Sequence, residues 1–240
     1  ALAVGDFDSD GHLDLAAVCD DSLLMIFRGD GVGGFVPTQD LPVPSPTSIA
    51  VADLDGDGTL DLAVGALDGI HFLMNTGTGV FFEPYPYQFA PIRALAAGRM
   101  YPDDIVDVMV IRSDCNCVEG VLCVLGGAWF FIMFPALGAG PRDVAIVDLN
   151  GDGNGDVVVS NMDGNDISLR LAGGWPTVLP LHNIPSGPQP AFLAIGDFSE
   201  DGRPDIAVAL RNSGQNALVG VILQTPPPGF GDLNCDGEVN

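Results

Sequence analysis

Aspartates set two residues apart, with a glycine at a fixed place behind them, recur along this chain as DFDSDGHLD from Asp6, DLDGDGTLD from Asp53, DLNGDGNGD from Asp148 and DFSEDGRPD from Asp197. The shared string is D-x-D-x-D-G-x-x-D. Carboxylates at every second position can turn inward around one centre, and the glycine permits the sharp bend between them. Such a loop offers hard oxygen donors and little else, so its chemistry is the holding of a hard divalent cation. Calcium takes six to eight oxygens at adaptable distances, whereas magnesium keeps its waters and uses few protein ligands. Zinc is disfavoured because His12, His71 and His182 are scattered and His12 lies at a loop position that contributes its backbone.

The expected ligands follow residue by residue. In the first loop they are Asp6, Asp8, Asp10 and Asp14, with the backbone carbonyl of His12; in the second, Asp53, Asp55, Asp57 and Asp61, with that of Thr59. The fourth loop offers Asp148, Asn150, Asp152 and Asp156 with Asn154 at the carbonyl position, and the fifth offers Asp197, Ser199, Asp201 and Asp205 with Arg203 there. Asn150 and Ser199 keep an oxygen but lose a charge, so these two loops are expected to bind more weakly. A related segment, RMYPDDIVD from Arg99, keeps the final Asp107 but has Arg99, Met100, Tyr101 and Pro102 where the leading ligands should be. No calcium is expected there; the Arg99 guanidinium could instead compensate Asp103 or Asp107. About four ions are therefore expected.

The elements that position these loops are legible as repeats. The first loop positions, Asp6, Asp53, Arg99, Asp148 and Asp197, are separated by 47, 46, 49 and 49 residues. A period of that length, with short apolar runs between turns, predicts β-propeller blades, each a four-stranded antiparallel sheet. In the second repeat the strands read SIAVADL, LDLAVGAL, IHFLMN and VFFEPYPYQF, with the acidic loop between the first two. The inner runs are nearly continuously apolar, as for strands covered on both faces. Helices are not expected: the runs are short, rich in Val and Ile, and broken by Gly and Pro. Blades are assigned to about residues 1–45, 46–91, 92–140, 141–190 and 191–225. The last lacks its outer strand, an arrangement compatible with a piece of a seven-bladed ring.

Composition narrows the function classes. Thirty-two acidic residues face eight Lys and Arg, giving a formal net charge of −24. Nucleic-acid binding is excluded by the lack of a basic patch. The acidic residues sit at fixed intervals among apolar runs, unlike a disordered tail. No run reaches the roughly 18 apolar residues of a membrane span. Five cysteines, three of them clustered, fit an oxidising compartment, with Cys123 pairing with either Cys115 or Cys117; reduced thiols are the alternative. With neither an initiator Met nor a signal peptide, the chain is expected to be part of a longer protein carrying further repeats.

The repeat resembles the FG-GAP or VCBS repeat of integrin-type β-propellers, over about residues 1–225. That resemblance implies calcium held between the first two strands of each blade. Residues 231–240, GDLNCDGEVN, resemble the opening of a type I dockerin loop, with Asp232, Asn234 and Asp236 as its leading ligands, cut short before its closing carboxylate. Pro226, Pro227 and Pro228 form a stiff spacer over 226–231 before this stretch at 232–240. A dockerin implies a cohesin partner.

No catalytic residues are assigned. The patterned aspartates are committed to the loops, and no G-x-S-x-G, H-E-x-x-H or phosphate-binding glycine loop occurs. The expected function is a calcium-binding, non-catalytic module of a secreted or cell-surface bacterial protein, acting in adhesion, scaffolding or protein or glycan binding. The alternative is a lectin, or an accessory or catalytic domain of a polysaccharide-degrading enzyme of the lyase type. Tyr85 and Tyr87 are the candidates for stacking on a sugar or a partner. Trp129 and Trp175 are expected to pack between blades.

Overall fold

The computed structural model describes residues 1–19, 22–88, 90–101, 105–114, 118–125, 128–132, 138–172, 178–211 and 218–223, with the backbone alone at 118–125, 128–132 and 178–180. Nineteen strands and no helix occur among them. They form sheets of sequential antiparallel neighbours. The first holds β1 (Leu2–Gly5), β2 (Asp14–Cys19), β3 (Leu23–Gly29) and β4 (Phe35–Pro42). The second holds β5 (Pro46–Ala52), β6 (Asp61–Ala66), β7 (Gly69–Leu73) and β8 (Tyr85–Gln88), and the third β9 (Ile92–Gly98), β10 (Asp107–Arg112), β11 (Val118–Leu125) and β12 (Ala128–Ile132). The fourth comprises β13 (Pro141–Val147), β14 (Asp156–Asn161), β15 (Asp166–Ala172) and β16 (Val178–Pro185); the fifth has β17 (Pro190–Gly196), β18 (Asp205–Leu210) and β19 (Leu218–Ile222). One compact unit holds the first three sheets and another the last two.

Burial on both faces holds for the second strand of the second, third and fourth sheets, whereas β2 of the first sheet is mostly half-buried. Every residue of β6 and of β14 is buried, while β5 is only half-buried along its length. The first strand lies at the edge of its sheet and has one ladder partner. The fourth strand of the second blade is also shorter than its apolar run. Phe81 instead closes a turn through a lone bridge to Asn75, and Pro84, which has no N–H to give a ladder, separates that turn from β8.

Stacking of sheets makes the core. In the first unit Leu24, Ile26 and Leu41 of the first sheet meet Leu62, Leu73 and Phe81 of the second. Ile70 and Phe72 then pack with Ile92 and Val108 of the third. Gly65 allows this second contact: a Cβ there would lie 2.5 Å from Ser48 Oγ and 2.7 Å from Ile92 Cγ2. In the second unit Val158, Ile167 and Leu169 face Ile206 and Val208. Each such side chain contributes about 1.5–3 kcal/mol through removal from water. Cys19 is a free thiol. Cys115, Cys117, Trp175, the linker and the dockerin-like stretch lie outside the described residues, as do the side chains of Cys123 and Trp129.

Candidate metal centre

Each acidic loop leaves the end of a first strand and re-enters at the start of a second, so one β-hairpin fixes both ends. In the first loop Gly5 pairs with Asp14, and in the second Ala52 pairs with Asp61. Two hydrogen bonds recur in all four loops. The leading carboxylate accepts from the sixth-position N–H: Gly11 to Asp6 at 3.0 Å, Gly58 to Asp53 at 3.0 Å, Gly153 to Asp148 at 2.9 Å and Gly202 to Asp197 at 2.8 Å. The fifth-position carboxylate accepts from the seventh N–H: His12 to Asp10, Thr59 to Asp57, Asn154 to Asp152 and Arg203 to Asp201, at 2.8–3.0 Å. Gly58 has φ +89° with nothing within 4 Å of a built Cβ, so backbone conformation, not space, demands glycine there.

This wrapping brings carboxylates together. One oxygen each of Asp6, Asp8 and Asp14 lies within 4.8 Å of the others, and the same holds for Asp53, Asp55 and Asp61. The fifth-position Asp10 and Asp57 are not in these groups. Three converging carboxylates without a nitrogen or sulfur donor fit a hard divalent cation, and calcium's adaptable coordination suits them. In such a site Asp53, Asp55 and Asp61 would hold the ion, and the ion would supply the positive charge that offsets their repulsion.

The ninth-position aspartate has a second role that sequence reasoning missed. Asp61 is fully buried and accepts from Leu54 N–H at 2.9 Å and Asn75 N–H at 2.8 Å. Asp14 takes Phe7 and Gly29 N–H, both at 2.8 Å, and Asp156 takes Leu149 at 2.9 Å and Ala172 at 2.7 Å. The carboxylate thus ties the loop's start to the end of the third strand. Asp205 varies the pattern, taking Phe198 and Ser199 N–H. Burial pushes the Asp61 carboxyl up to about 6, with Asp55 and Asp57 adding to the shift and the Asn75 and Leu54 N–H groups opposing it. Asp156 is likewise pushed up to about 6, by burial first and then by Asp152 and Asp148. In the third repeat, where the leading ligands are lost, Asp107 is kept and is 1% exposed. Its retention fits a structural task independent of the ion.

The second loop position was also missed, although its signal is in the sequence: it is apolar in every repeat, as Phe7, Leu54, Met100, Leu149 and Phe198. Phe7 enters the core between the first and second sheets and meets Phe81 edge-on, with centroids 5.4 Å apart. Its carbonyl accepts from Asn75 Nδ2 at 2.8 Å. Leu54 enters the cluster shared with the third sheet, and Leu149 that shared with the fifth. An acidic loop and a sheet-to-sheet contact are therefore one structural piece.

The remaining expected residues are placed as follows. In the third loop Met100 and Tyr101 are buried and Arg99 is exposed; Pro102 and Asp103 lie outside the described residues. In the fourth loop Asn150 Nδ2 donates to Asp152 Oδ2 at 3.1 Å. Tyr85 is 66% exposed on β8, whereas Tyr87 packs against the Ile70 and Phe72 cluster. His71 is buried on β7 with Nε2 2.9 Å from Asp68 Oδ1.

The FG-GAP-like repeat family model matches residues 6–64 and 148–208. The chain belongs to the FG-GAP-like repeat family. Each match opens on the first aspartate of an acidic loop, at Asp6 and at Asp148, and neither extends to the dockerin-like stretch. No curated protein matches the chain. Among solved structures it is similar to the fucose-recognising, six-bladed β-propeller lectin of Aleuria aurantia, with a TM-score of 0.60 and 16% identity over 95% of this chain and 80% of the lectin. A lectin of Agrocybe aegerita that recognises non-reducing terminal N-acetylglucosamine gives 0.58 and 14%, over 94% of this chain and 66% of the other. A luciferin-regenerating enzyme gives 0.51 and 16%, over 95% and 78%. These likenesses establish the fold as a β-propeller. The chain spans just under two thirds of the length of the Agrocybe lectin.

Proposed function

We propose that this FG-GAP-like propeller is a calcium-binding, non-catalytic binding module of a secreted or cell-surface protein. The observation that carries the reading is the convergence of Asp53, Asp55 and Asp61 within 4.8 Å, repeated at Asp6, Asp8 and Asp14. Calcium would serve stability: each ion offsets clustered negative charge and holds a loop whose second residue plugs the neighbouring sheet. Four ions would add +8 to the formal −24, leaving −16. At a hundred times the dissociation constant each independent site would contribute about 2.7 kcal/mol. Ion content by mass spectrometry, together with melting in chelator and in excess calcium, tests this. A chain that carries no calcium and melts alike in both refutes it.

Glycan binding is the partner reading that the lectin neighbours favour. Exposed Tyr85 offers a stacking surface. A glycan array on calcium-loaded protein would separate sugar binding from a scaffolding role, and an assay for newly formed reducing or unsaturated ends would expose catalysis. Docking to a cohesin through the dockerin-like end belongs to the same reading and is tested by capture on an immobilised cohesin domain.

A further inference from the structure

The first and second loops carry the same four aspartates, yet they differ in what already sits on them. Arg28, near the end of β3, reaches back over the first loop. Its Nε lies 2.9 Å from Asp8 Oδ2 and its Nη2 2.7 Å from Asp10 Oδ2. The other oxygens of these two carboxylates are already used, Asp8 Oδ1 by Asp10 N–H at 3.3 Å and Asp10 Oδ1 by His12 N–H at 2.9 Å. Arg28 thus takes the remaining oxygen of the third-position Asp8 and of the fifth-position Asp10.

The second loop has no equivalent. Gly29 and Asn75 donate from matching backbone positions to Asp14 and Asp61, so the residue matching Arg28 is Met74. Met74 packs against the core cluster of the second and third sheets. Among the described residues no cation contacts Asp55 or Asp57, whose bonds are those from Asp57 N–H and from Thr59. A guanidinium fork matches carboxylates well, and it stays charged at every accessible pH.

We propose that Arg28 is a built-in counter-cation of the first loop: it holds Asp8 and Asp10 when calcium is absent and must be displaced when the ion enters. This rests on the calcium reading above and deepens it. Two loops with equal carboxylate count then fill at different calcium concentrations, the second first. Arg28 is 56% exposed in its side chain, so its release into water is unhindered. Losing the two ion pairs of a surface arginine weakens the first site relative to the second by about two- to thirtyfold.

The test is a calcium titration of the whole chain, stripped with chelator, followed by amide NMR. Gly11 and Gly58 N–H, each bonded to the leading aspartate of its own loop, report the two sites separately. The expected result is a Gly58 midpoint at lower calcium than that of Gly11. In Arg28→Met the Gly11 midpoint moves down to join Gly58, which itself does not move. In chelator the same variant melts about 1–8 °C lower, since Asp8 and Asp10 lose their counter-charge. Coincident midpoints in the parent chain, or a gap that survives Arg28→Met, overturn the proposal while leaving calcium binding intact. If neither amide responds to millimolar calcium, the calcium reading itself falls, and this one with it.

Discussion

Acidifying the calcium-free chain from pH 7 to 4.5 should stabilise it, the reverse of ordinary acid destabilisation. Asp61 and Asp156 are both buried, and burial pushes each carboxyl up to about 6 from an ordinary value of 3.8. Between those values the folded chain holds a proton that the unfolded chain has released, so stability is lost as pH rises toward 6 and regained as it falls. Each group contributes about 1–2 kcal/mol over this span, roughly 2–4 kcal/mol for the pair. Asp10 and Asp57 lie outside the window: the Arg28 contact holds the Asp10 carboxyl below its usual range, and the Thr59 hydroxyl does the same for Asp57. Urea unfolding in chelator at several pH values measures the slope. Calcium should reverse the trend, because protons and the ion compete for the same oxygens. Asp61→Asn should remove about half the slope in chelator, while Asp55→Asn, which removes a charge from an exposed position, should leave most of it. A chelator curve that is flat or falls on acidification refutes the reasoning, as does an Asp61→Asn slope equal to that of the parent.

Two further outcomes separate ion binding from packing. Asp55→Ala removes an exposed ligand with one loop hydrogen bond, so melting in chelator should change little while calcium stabilisation drops by about 2.7 kcal/mol at a hundred times the dissociation constant. Phe7→Ala should cost about 3–5 kcal/mol by urea unfolding with or without calcium, because it empties a site that is 1% exposed, whereas Phe198→Ala, at the same loop position but 49% exposed, should cost far less.

The blades were legible because their signals are local. A loop string that repeats about every 48 residues, flanked by runs such as LDLAVGAL, needs no long-range knowledge to read as sheet hairpins. Asp14 and Asp61 were read as ligands for the same reason, but half of what they do was not visible. Their partners Gly29 and Asn75 lie 15 and 14 residues away, across a strand whose register the sequence does not print. The fourth strand of the second blade was overextended because VFFEPYPYQF looks like one strand until Phe81 pairs back to Asn75. Gly11 and Gly202 were readable as bend residues; the left-handed Ser9 (φ 59°) and Glu200 (φ 60°) two positions earlier were not, since neither type advertises that conformation.

Ligand count therefore gives only the first approximation to how these sites rank. The first and second loops are equal by that measure, and on the proposal above they would differ because β3, seven residues long, carries Arg28 one residue before its end, while the matching residue of the second blade is Met74, just past the end of β7. On that proposal, affinity in these loops would be set partly by the side chain that each blade lays over its own loop. The ninth-position aspartate couples the two levels: it belongs to the carboxylate group and also holds the third strand that carries Arg28 or Met74. The strand's end thus meets the loop at this carboxylate as well as through Arg28 on Asp8 and Asp10 in the first blade and through Asn75 Nδ2 on the Leu60 carbonyl in the second.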